Sequence, residues 1–178
     1  MAGAQLSIPT VFVTYATGDR AHETQVLSFV NYLRENGFDA VNDKLLQQQQ
    51  TSIEFWDLML SGFNRDKVVV VLSDGYVTKS KIEGSGVYRE YHYILNDLGK
   101  NKTKYIFVVF SKPTDYSLVA PAWINSHDIL NVSNDDGLNS LFAKLQGETT
   151  IAVTPVGSSL PVISQESVPN FTTFIKKN

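Results

Sequence analysis

Residues 68–98 read VVVVLSDGYVTKSKIEGSGVYREYHYILNDL, and this stretch decides the fold. Four valines and a leucine at 68–72 form a continuous apolar, largely β-branched run. That pattern suits a central strand covered on both faces rather than one with a wet side. Ser73-Asp74-Gly75 breaks the run, and a loop carrying Gly84 and Gly86 leads into an amphipathic helix. The glycine pair is expected to let the chain turn into that helix. Early in the helix stands one carboxylate, Glu90, among apolar and aromatic neighbours.

Outward from this unit the same alternation repeats. Residues 9–15 (PTVFVTY) predict a short first strand. A polar loop at 16–20 follows, with Thr17 or Asp19 placed to cap a helix over about 21–36. Val26, Phe29, Val30 and Leu33 recur on one face of that helix, and Asn36-Gly37 stops it. Residues 38–41 predict a short edge strand, 42–51 a loop, and 52–63 a second helix with Trp56 on its inner stripe. The fourth strand falls at 104–110, a short fifth at 128–132, and a last helix at about 137–145. Strands alternating with helices predict an α/β domain with a parallel sheet covered on both faces. Ligands bind such sheets beyond the carboxyl ends of the strands. Here that rim comprises 15–20, 42–51 and 73–90.

Length and composition agree with a single globular domain. The chain has 178 residues, 43% hydrophobic and 19% charged, which is enough to bury a core. The domain is expected over 8–148. Residues 149–178, with three of the six prolines, read as a tail or linker leading to another domain. Within the tail, 151–153 and 171–175 are short strand candidates. A net charge of −3 argues against nucleic acid as a partner. The chain has no cysteine, so disulfides, thiolate metal sites and cysteine nucleophiles are excluded. The three histidines show no ligand spacing, and no metal site is expected. No run approaches the length needed to span a bilayer, and no secretory leader is seen, so a cytoplasmic location without membrane contact is expected.

Four segments together carry a resemblance. VFVTYATGDR (11–20) is similar to the opening strand and loop of the TIR (Toll/interleukin-receptor) family. NYLRENGFDAVNDKLL (31–46) resembles its helix–strand segment before the so-called BB loop. VVVVLSDGYVTKS (68–80) resembles the third-strand box, and GSGVYREYHYIL (84–95) a signature of the SEFIR branch. The last also resembles the helix that bears the glutamate of NAD-cleaving bacterial TIR effectors.

The resemblance implies a flavodoxin-like three-layer sandwich with a five-stranded sheet of order 2-1-3-4-5. For the enzymatic branch it implies cleavage of the nicotinamide–ribose bond of NAD, to nicotinamide and ADP-ribose or its cyclic form. NAD would be substrate, with no separate cofactor. Such domains act in bacterial antiphage defence, activated by self-association and by a fused or separate sensor domain. Contact through the 42–51 loop is expected. Glu90 falls on the catalytic glutamate. Tyr15, Ala16, Thr17, Asp19 and Arg20 fall on the loop against nicotinamide and ribose, Asp43 on the acid opening the BB loop, and Ser73 on the third-strand serine. Two departures stand out. Asp74 replaces a proline, and Gly86 replaces an aromatic four residues before the glutamate. Ring stacking then falls to Trp56, Tyr76 or Tyr88. The departures favour the other branch of the superfamily, a non-catalytic interaction module.

The residues bear on these expectations directly. Relative to the apolar stripe of Val87, Tyr91, Ile94, Leu95 and Leu98, Glu90 lies roughly 75° off centre, at the border. A carboxylate there can stabilise an oxocarbenium-like transition state, and cationic nicotinamide leaves without a general acid. Plainer readings exist beside these. Asp43 equally caps a turn, Ser73 and Asp19 suit turns and caps, Arg20 suits a surface charge, and Trp56 suits the core. A phosphoacceptor receiver is disfavoured, because Tyr15-Ala16-Thr17 supplies no acid pair.

Overall fold

The valine run becomes the middle of a parallel sheet. The computed structural model describes residues 7–172. Its strands are β1 (Thr10–Tyr15), β2 (Asp39–Val41), β3 (Lys67–Val71), β4 (Tyr105–Val109) and β5 (Ile129–Asn131). They pair in the order β2-β1-β3-β4-β5, all parallel, with Phe12 opposite Val41 and Val68, and Thr14 opposite Val70. This is the flavodoxin-like order that the resemblance implies.

Side chains of β3 alternate between two cores, as a two-residue period requires. Val69 and Val71 join Val11, Val13, Ile106, Val108 and Leu130 under helices α1 (Arg20–Glu35) and α6 (Asp135–Gln146). Val68 and Val70 join Phe12, Phe107 and Val109 on the other face. There they meet α3 (Phe55–Phe63), α4 (Asp74–Lys79) and α5 (Gly86–Leu98). All four valines are fully buried, and each contributes about 1.5–3 kcal/mol by leaving water.

Two positions admit only glycine. A Cβ at Gly137 would stand 1.8 Å from the Asn131 carbonyl oxygen, so α6 lies directly on the end of β5. A Cβ at Gly62 would stand 2.7 Å from the Phe12 ring.

Several expectations need correction. The 42–51 stretch is not all loop: α2 (Asp43–Gln47) forms there, and the Asn42 side chain accepts from Leu45 N–H. Nor is 73–85 one loop, because Ser73 accepts from Tyr76 N–H and starts α4. Of the glycine pair before α5, only Gly84 takes a positive φ (+85°); Gly86 is the first residue of the helix, capped by Ser85. The helix expected over 52–63 begins at Phe55, capped by Glu54. Residues 151–153 form no strand and are exposed, and the 171–175 segment lies partly outside the described residues. No described helix is long and apolar enough to cross a membrane.

Candidate functional site

Thr14 is the hydroxyl within the buried part of β1, whose other threonine, Thr10, stands at the strand's start, and alternation points it away from α1 toward α5. It is 2% exposed and donates to Glu90 Oε2 at 2.6 Å. Tyr76, fully buried on α4, donates its hydroxyl to Glu90 Oε1 at 3.0 Å. Strand β1 and helices α4 and α5 thus converge on one carboxylate. Glu90 itself is 2% exposed. The helical wheel placed it at the stripe's border; in the fold it is buried, because α4 lies across the side of α5 that a lone helix would leave open.

Burial dominates its ionisation. It pushes the Glu90 carboxyl up from 4.5 to about 7, against the two hydroxyl donors, while Asp43 adds a smaller push upward. Burying a carboxylate costs several kcal/mol unless bonds replace water, and here two hydroxyls supply part of that. Tyr76 titrates well above its usual range, through burial first and then the Glu90 charge.

Glu90 closes the floor of a cleft of about 210 Å³. Tyr15, Thr17 and Asp43 form the side at the ends of β1 and β2. Phe55, Met59, Ile82, Gly86 and Val87 form the apolar side, and Lys79 stands at the edge. Lys79 Nζ donates to the Thr17 carbonyl, tying α4 to the β1 loop. Glu23 accepts from Gly18 N–H at 2.8 Å and pairs with Lys44, tying that loop to α2.

The rim holds an unusual set of unpaired groups. Tyr15 Oη, Asp43 Oδ1, Asn42 Nδ2 and His22 Nε2 are buried without hydrogen-bond partners. Of these, Tyr15 and Asp43 line the cleft and His22, in the first turn of α1, lines an adjoining hollow, whereas Asn42 is fully buried at the start of α2. Tyr15 and Asp43 are neighbours that act on each other through both charge and their facing hydroxyl and carboxylate, although the two groups do not meet at full hydrogen-bond geometry. Burial raises both, Tyr15 beyond its usual range and Asp43 above the usual carboxylate value. Buried polar atoms are rarely left unpaired, and unpaired ones lining a cleft are free to bond a ligand.

The remaining sequence candidates fall elsewhere. Asp19 accepts from Ala21 and His22 N–H as the cap of α1. Ala16, Asp19 and Ser73 line a shallower adjoining hollow, which shares Thr17 and Lys79 with the cleft. Arg20 is exposed on the far side of the loop beside Glu23 and Lys44. Tyr88 is outside the cleft, its ring 4.3 Å from that of His92. Of the stacking candidates, Tyr76 is held edgewise by Glu90 and has no free face. Trp56 packs on Phe63 and Tyr93, with the Arg89 guanidinium 4.7 Å over its ring. Sequence reasoning missed Thr14, Phe55, Met59, Lys79 and Ile82. Thr14 alone carried a local signal, as the polar residue within a buried strand. Among the described residues, no cluster of histidines and carboxylates can hold a metal ion.

This arrangement can hold a buried carboxylate against a ligand flanked by an apolar wall and free polar groups. Known proteins bear on the same region. The family model for the SEFIR domain matches residues 9–124, which include the whole cleft. The crystal structure of a prokaryotic SEFIR domain is similar at a TM-score of 0.58 and 20% identity, over 84% of this chain and 99% of that one. Likeness at that identity speaks for the fold. No curated protein matches. By sequence over residues 9–124, more than half of its length, and by sheet order, the chain belongs to the SEFIR family, a TIR-like family.

Proposed function

We propose that this domain cleaves the nicotinamide–ribose bond of NAD. The observation that carries the proposal is Glu90: a buried carboxylate at the floor of a cleft, at the carboxyl ends of the strands, beside the polar groups of Tyr15 and Asp43. In the reaction the C1′–N bond breaks, and its electron pair moves onto the pyridinium nitrogen, so nicotinamide leaves neutral. The ribose carries the positive charge, and Glu90 opposes it at short range in a site of low polarity, where such an interaction is strong. Water attack at C1′ releases a proton and gives ADP-ribose. Attack by a nucleophile within the same molecule gives the cyclic product. A cleft of about 210 Å³ is smaller than typical sites for whole ligands. It therefore takes the nicotinamide and ribose, while the diphosphate lies over the adjoining hollow near Lys79.

Tyr15, Thr17 and Asp43 are the polar contacts to ribose and carboxamide. Asp19 and Ser73 hold the helix starts around them. In a cell the domain would serve as an antiphage effector or signal producer in the cytoplasm. It would be switched on by self-association through the 42–51 stretch, or by a sensor domain fused or separate. Nicotinamide release from NAD, followed with the protein dilute and then crowded, tests this; no release in either condition would sink it.

One observation favours a second reading, an interaction module without catalysis. Glu90 is nearly sealed, and both of its oxygens already accept a hydrogen bond, so in this conformation it fits a structural brace equally. That reading expects association, seen by light scattering and lost on altering 42–51, with NAD untouched.

A further inference from the structure

The cleft's apolar side contains a large aromatic in an unusual state. Phe55 is 50% exposed, although it begins a helix whose Leu58, Met59 and Phe63 are buried. Its ring stands at the cleft opposite Gly86: a Cβ built on Gly86 would lie 3.7 Å from Phe55 Cε1. Residue 86 contributes no side chain, so the Phe55 ring lies beside the helix backbone there, next to the space a side chain at 86 would enter. Ile82, 53% exposed, extends the same apolar lip. The opposite ingredient is the Glu90 carboxylate on the floor. A half-exposed aromatic ring and a buried carboxylate sharing one small cleft match a planar ring with positive charge. The ring gains dispersion and cation–π attraction from Phe55, and its charge is balanced by Glu90. A flat ring fits about 210 Å³, whereas a helix or strand of a partner does not.

We infer that Phe55 is the stacking platform of this site and selects an N-substituted pyridinium cation, taking in space the part that a side chain at 86 would otherwise play. The inference rests on the NAD reading above and names the residue that holds the leaving group. The dispersion part of stacking acts on substrate and transition state alike and the cation–π part is stronger in the substrate, so its loss raises KM more than it lowers kcat.

The test uses the full chain with substitutions F55A and F55W, the double change F55A with G86F, and E90Q. Three quantities are read: KM for NAD, inhibition by 1-methylnicotinamide (a pyridinium cation) and inhibition by neutral nicotinamide. Binding of the two small molecules is also followed by NMR, independently of turnover. The expected results are a KM about 10-fold higher in F55A with kcat changed less than about 3-fold, and recovery in F55W and in the ring-transplanted double variant. The cation should bind wild type more tightly than neutral nicotinamide, and E90Q should lose that preference. An F55A variant with unchanged KM and unchanged binding of the cation overturns the inference while leaving NAD cleavage standing. Wild-type protein that neither cleaves NAD nor binds the cation overturns both. Half exposure of Phe55 means F55A should melt within a few degrees of wild type, so lost binding is not lost folding.

Discussion

Replacing Glu90 by glutamine removes a buried ionisable group while keeping its shape, and the effect on stability depends on pH. The folded protein holds this carboxyl near 7, against 4.5 for an ordinary glutamate. The folded pKa is raised, so between those values the folded state binds more protons than the unfolded one. Wild-type stability from this group is fully present below about 4.5 and is lost as pH rises through about 7. The gap of about 2.5 units is worth about 3 kcal/mol once both states are ionised. E90Q has no such term. Urea unfolding of both proteins from pH 5 to 8.5 reads it directly. At pH 5 the two should be of similar stability, because the wild-type carboxyl is mostly protonated. By pH 8.5 the wild type should have lost about 3 kcal/mol relative to E90Q. Curves that run parallel across that range would refute the burial argument, since they would mean Glu90 titrates like a surface acid.

Further outcomes follow from the same contacts. Thr14→Val removes the donor to Glu90 Oε2 and leaves a buried carboxylate oxygen unpaired; stability at pH 8 should fall by about 1–3 kcal/mol, with a smaller loss at pH 5, by chemical denaturation. Gly137→Ala places a Cβ against the Asn131 carbonyl, and the melting temperature should drop by an amount equal to at least about 3 kcal/mol, at the upper end of overpacking costs. Asn134→Ala removes the acceptor for Gly137 N–H at 2.8 Å and should cost about 1 kcal/mol, without altering the cleft, as checked by unchanged chemical shifts at Thr14 and Glu90.

The sheet was legible because its strands are continuous apolar runs, and periods of two and 3.6 residues separated them from helices without ambiguity. The short helices α2 and α4 were not. Each has at most six residues and is started by a single polar cap, Asn42 or Ser73, inside a segment with turn composition. Missing α4 had a consequence for the site. A helical wheel ranks residues only against their own helix, so it left Glu90 half open, whereas α4 seals that side and contributes Tyr76. Glu90, Tyr15, Thr17 and Asp43, which line the cleft, were marked by the resemblance of the 84–95, 11–20 and 31–46 segments. Phe55 and Lys79 were not, because each comes from a different element and nothing local marks them. They join the cleft only when α3 and α4 pack beside α5. Arg20 and Tyr88 show the converse: close to the site in sequence, they are carried to other surfaces by the turn of their helices.

Under the proposed function, Glu90 stabilises a ribosyl cation formed from NAD. The most direct measurement of this is product analysis after incubating NAD with the full chain and with E90Q in parallel, at pH 8 and at concentrations that promote association. The wild type should give nicotinamide in equal amount with ADP-ribose or its cyclic form, and E90Q should be about 100- to 1,000-fold slower, the cost of removing one preorganised transition-state contact. No nicotinamide from the wild type, or the same rate from both proteins, would contradict it and leave Glu90 as a structural brace in an interaction domain.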